Sequence, residues 1–245
     1  MSASASLLLL VFIAFLAMSV VAYGNYRVEQ NRKTRVKLQN LKAKIEKIED
    51  IVRVLERLCD NKMITTFVND DVIELYEEMM ELSPKASHIA ANLTNARIRS
   101  DILNDGTYPQ QLNRICNSDA QIARCRAYLK EATHILRRQH SEGKFSGTEA
   151  QEFIHHLNWL HLQIFVVTNI AEGHKAFARN HVLKANAFYK KAQAELVASR
   201  HPDARRQQMI KQLADVLFGH RRALDNQLMP EDEFNPIDSP DSGTI

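Results

Sequence analysis

Glycine and proline are scarce in this chain, with seven and six among 245 residues. So few turn formers exclude a many-stranded sandwich or barrel and point to long helices. Cysteine is scarcer still. Cys59, Cys116 and Cys125 are odd in number, and their spacings fit no zinc or redox motif. They read as reduced thiols of a cytosolic compartment. Several chemical signatures are missing as well: there is no Gly-rich phosphate loop, no Gly-x-Ser-x-Gly and no His-Glu-x-x-His. Charge is absent from the first 26 residues altogether.

That uncharged opening is the strongest single feature. As a helix, residues 2–23 would be about 33 Å long, against a bilayer core of ~30 Å. Eight Lys or Arg against two acids follow within residues 27–47. A cleaved signal would want a basic start and a small-x-small site, and only Val20 and Ala22 offer one. The expectation is therefore a transmembrane signal-anchor over 1–26. The positive-inside rule then orients it in a bacterial inner membrane, with the N-terminus outside and the remainder cytoplasmic. Arg27, Arg32, Lys33, Arg35 and Lys37 would lie at the membrane surface, within reach of anionic headgroups.

Residues 27–60 continue as one basic, coiled-coil-like helix. Leu38, Leu41, Ile45, Ile48, Val52 and Leu55 keep an alternating 3-4 spacing, which is the seam of a coiled coil. Two readings of that stripe are open: a parallel homodimer stalk, or packing on later helices of the same chain. Residues 61–228 form the helical domain. Asn69 or Asp70 is expected to cap a helix ending at Leu82, and Ser83–Pro84 to open the next. Ser118 with Gln121, and Ser146 with Glu149, have capping-box spacing. Residues 153–171 hold no charged side chain but several polar ones, the pattern of a central bundle helix. A helix is expected from about 182 to 199 and another from Pro202 to about 224. The acidic, Pro-punctuated stretch 229–245 is expected to be disordered. The fold class is thus all-α: an anchor, a stalk, and a cytoplasmic bundle.

Within the domain, Gly173, Ala185, Tyr189 and Ala192 are spaced twelve, four and three apart. Residues 166–199 thereby resemble one tetratricopeptide repeat, in which small residues let two antiparallel helices approach and an aromatic fills the space between neighbouring repeats. The positions of the repeat's opening aromatic and closing proline hold Asn169 and Val197 instead. The resemblance implies an αα-hairpin that binds protein rather than a catalytic centre.

Glu131 with His134, and Glu152 with His155, are two Glu-x-x-His pairs, the spacing used by di-iron carboxylate bundles. Two such pairs are close to what chance placement gives, and no further bridging acids stand out. The function expected is that of a membrane-anchored adaptor with an unidentified protein partner and no cofactor. The alternatives are a membrane-tethered metal enzyme built on that quartet and a tether for nucleic acid. Against the last, the basic run holds no aromatic beyond Tyr26 on which a base could stack.

Overall fold

The computed structural model describes residues 3–105, 112–231 and 235–236; the side chains of residues 3–17 and 19–21 lie outside that description. The described residues form seven helices and no strand: α1 (Ala3–Leu58), α2 (Lys62–Leu82), α3 (Ser87–Asn104), α4 (Asp119–Ser141), α5 (Gly147–Ala178), α6 (Val182–Ala198) and α7 (Ala204–Leu217).

Caps explain most of the boundaries. The Asn61 side chain accepts from the Met63 N–H and starts α2 eight residues before the expected cap at Asn69. Asn69 is fully buried inside α2, where its amide donates to the Ala96 carbonyl (2.8 Å) and Ser100 Oγ (3.1 Å) of α3. Ser83 closes α2 instead of opening α3. Ser118 starts α4, although Gln121 Oε1 accepts from the Asn117 N–H rather than returning to Ser118. Ser146 and Glu149 make a complete capping box on α5. Asp203 caps α7, which ends at Leu217, short of the expected 224.

Two hydrophobic cores share α5 as their common wall. The first gathers the second half of α1, α2, α3, α4 and the face of α5 bearing Phe153, Leu157, Leu160 and Ile164. The second gathers Trp159, Leu162, Val166 and Ile170 of α5 with α6, α7 and residues 224–229. The α1 stripe lies in the first core. Leu41, Ile45, Ile48, Val52 and Leu55 are buried within the chain and Leu38 is partly covered, so of the two readings of the seam the intramolecular one is seen.

The anchor is corrected. Among the described residues no helix is long and apolar enough to cross a membrane. This overturns the transmembrane, signal-anchor and inner-membrane expectations, and with them the orientation argument. A spanning helix needs ~20 consecutive apolar residues. The uncharged run 1–26 falls mostly outside the described side chains. The described part of α1 turns basic at Arg27 and stays exposed to Lys33. Arg27, Arg32, Lys33, Arg35 and Lys37 are all solvent-exposed, and Lys37 pairs with Glu78 of α2 at 2.8 Å.

The stretch expected to be disordered from 229 is partly built into the fold. Glu231 takes a buried bidentate hold on Arg114, with Nε to Oε1 at 2.7 Å and Nη2 to Oε2 at 2.9 Å. The Arg114 backbone N–H donates to the same carboxylate. Asn235 exchanges two hydrogen bonds with the Leu224 backbone and is also buried. Residues 232–234 and 237–245 lie outside the described residues.

Breaking a buried pair leaves a charge unpaired in low dielectric, at a cost of about 3 to 5 kcal/mol. Urea unfolding of Glu231→Ala is expected to show a loss of that order. The double variant Arg114→Met/Glu231→Leu, which removes both charges, should recover most of it.

Candidate functional site

The hairpin of α5 and α6 forms as its small residues suggest. Ala185, Tyr189, Ala192 and Leu196 make the inner face of α6, all buried against α5. Gly173 is the point of closest approach. A Cβ placed there would stand 2.3 Å from the Tyr189 ring, so no other residue fits without moving the ring. The ring is held: Tyr189 Oη is 2.8 Å from His174 Nδ1, and the two rings meet edge to face. Burial pushes the His174 imidazole down to about 4 and the Tyr189 phenol up to about 12, so both are neutral at ordinary pH.

The outer face of α6 is a different surface. Leu183, Ala187, Lys190, Ala194 and Val197 recur at spacings of four and three, and all are exposed, Leu183 by 88%. Phe177 and Val182 extend the strip at the hairpin bend, each about half exposed. Lys184 and Lys191 flank it. Glu195, the one acid of α6, turns away to Arg126 of α4 at 2.6 Å. The strip is therefore apolar with basic margins.

The Glu-x-x-His quartet is not assembled. Glu131 pairs with Lys47 at 2.8 Å, while His134 and Glu152 point to solvent. His155 keeps different company, with its ring 4.3 Å from that of His201. Among the described residues, two other groups of three metal-type donors come together. In one, His201, Asp203 and His155 are tied into the start of α7. His201 donates to the His155 carbonyl and accepts from the Asp203 N–H, and Asp203 gives both oxygens to Arg205. The Arg205 guanidinium in turn lies over the Trp159 ring. In the other, His156 Nε2 sits 2.8 Å from Asp60 Oδ1, and that hydrogen bond holds the Asp60 carboxyl down to about 2. Cys59 beside it is an ordinary buried thiol: desolvation pushes it up to about 12, and it donates to the Asn61 carbonyl. Both groups are already engaged as ties between α5 and its neighbours. Neither group shows in the residue order, because their members lie up to about a hundred residues apart.

The hairpin supplies two tests. Gly173→Ala should cost about 1 to 3 kcal/mol despite the better helix propensity of alanine, because the Tyr189 ring must move. His174 adds to the pH dependence in the same direction as His161 and His201, which burial also pushes down. Its folded value lies below the unfolded 6.5, so its contribution is complete above that pH. It is lost as pH falls from 6.5 toward 4, by up to about 3 kcal/mol. His174→Phe should lack this slope in a pH series of unfolding curves, whatever its stability at neutral pH.

Compared with known family models, characterised proteins and solved structures, the chain gives no match.

Proposed function

We propose that the chain is a helical adaptor that binds a partner along the outer face of α6. One observation carries this reading: a rigid, regularly spaced apolar strip is left exposed on a helix whose opposite face is fully buried. Isolated exposed apolar side chains are ordinary on a protein surface. A strip along one helix with polar margins is the form of a helix-docking surface. Its charge selects the occupant. Lys184 and Lys190 border or interrupt the strip and no acid of α6 opposes them, while Lys191 turns to Asp119 of α4 at 3.9 Å, so the partner is an acidic amphipathic helix. No step of chemistry is assigned to this surface; it works by holding a partner in place.

The reading is tested with the full chain carrying a photo-crosslinking side chain at Leu183 in producing cells. The expected result is a discrete adduct whose linked peptide is an acidic amphipathic helix, abolished by Lys184→Glu/Lys190→Glu. Those exposed substitutions should move stability by less than about 0.5 kcal/mol. An adduct pattern identical to that from a crosslinker at Lys85, or one indifferent to the charge reversals, would overturn it.

A further inference from the structure

Two of the three thiols face each other. Cys116, in the non-helical segment before α4, and Cys125, in the second turn of α4, place their sulfurs 3.9 Å apart. Arg57, in the last turn of α1, reaches the same point. Its Nη2 lies 3.3 Å from Cys125 Sγ and its Nη1 donates to the Ile115 carbonyl at 3.1 Å. The Arg57 backbone carbonyl accepts from the Asn113 N–H at 3.0 Å, so one residue fixes both the thiol and the segment that carries its neighbour. Cys125 also lines an open cleft of about 350 Å³, together with Arg53, Arg57, Arg124, Asp50 and Tyr128. The one acid there, Asp50, is engaged by Arg53 and by the Tyr128 hydroxyl. The cleft thus presents net positive charge to the sulfur.

We propose that Cys116 and Cys125 are a hydroperoxide-reactive thiol pair, with Cys125 as the attacking sulfur and Cys116 as the resolving one. The chemistry balances with hydrogen peroxide as oxidant. The Cys125 thiolate attacks one peroxide oxygen, the O–O bond breaks, and hydroxide leaves and takes up a proton as water. Cys125 is then a sulfenic acid. Cys116 passes its proton to the sulfenic oxygen as its sulfur attacks Cys125, the S–O bond breaks, and a second water departs, leaving the Cys116–Cys125 disulfide. The peroxide has gained two electrons and the two thiols have lost them.

The roles follow from position. A thiolate, not a thiol, is the nucleophile. The hydrogen bond from Cys116, followed by the Arg57 charge and its hydrogen bond, holds the Cys125 thiol well below its usual range. Donating that hydrogen bond, together with burial, holds Cys116 well above it. Closing the sulfurs from 3.9 Å to the ~2.05 Å of a disulfide requires a shift under ~2 Å. Cys116 stands outside any helix, so the shift disrupts no helical ladder. Cys59 is an internal control, since burial pushes its thiol up to about 12 and its sulfur donates to the Asn61 carbonyl.

The test uses the reduced full chain, a hydrogen peroxide titration, and mass spectrometry of intact protein and peptides. Wild type is expected to lose two hydrogens with a linked Cys116–Cys125 peptide pair, while Cys59 stays reduced. Cys116→Ser should stop at a dimedone-trapped sulfenic acid on Cys125, and Cys125→Ser should form neither product. Arg57→Met should slow the reaction by about tenfold, and Arg57→Lys by less. If Arg57→Met does not fold, the pH profile of iodoacetamide alkylation decides: the Cys125 midpoint must lie below that of Cys59. Oxidation at Cys59 at an equal rate, a disulfide that survives Cys125→Ser, or no reaction of the pair at all would overturn the proposal.

Discussion

A helix buried on two opposed faces constrains everything around it, and α5 is such a helix. Phe153, Leu157, Leu160 and Ile164 turn to one core while Trp159, Leu162, Val166 and Ile170 turn to the other. Fully burying a side chain of this size contributes about 1.5 to 3 kcal/mol. A single helix thus carries a large share of what holds both halves together. The price is that polar groups on α5 must find partners without water. Asn169 donates back to the Phe165 carbonyl, Thr168 Oγ1 accepts from the Cys116 N–H, and His174 meets the Tyr189 hydroxyl. The last two of these bonds also fix a neighbouring element, so satisfying α5 positions the hairpin and the segment before α4.

That segment, 112–117, is the junction of the molecule. Arg57 holds it from α1, Thr168 from α5 and Glu231 from beyond α7. Arg114, Ile115 and Cys116 are buried in succession although none lies in a helix. An irregular segment buried in this way must have its backbone groups bonded elsewhere. The bonds from three distant elements meet that requirement.

Much of this was legible in the sequence, for local reasons. Ser118 and Ser146 cap the helices that their spacing announced, and the uncharged run 153–171 became the dividing helix. Gly173 was visible as one of the small residues of a close hairpin, but not as the seat of the Tyr189 ring. Asn69 misled because a capping residue type followed by acids looks the same whether the helix begins there or eight residues earlier at Asn61. The α1 stripe showed its apolar face but not which surface would cover it. The acidic end read as disordered because composition counts charges and cannot see that one of them meets Arg114. The thiol pair was invisible for the same reason: the spacing of Cys116 and Cys125 is undistinguished, and the guanidinium between them comes from a helix 68 residues away.

The clamp between Arg114 and Glu231 joins residues 117 positions apart. At ~5 to 20 residues per second of synthesis, Arg114 leaves the ribosome roughly 6 to 23 seconds before its carboxylate exists. For that interval the junction has a cation waiting in what will become a dry interior, and water must stay to solvate it. The first core can close around α1 to α5 in the meantime, but the junction can dry only after α6, α7 and Glu231 have emerged. The ion pair thus makes one late residue the signal that the whole body has been made.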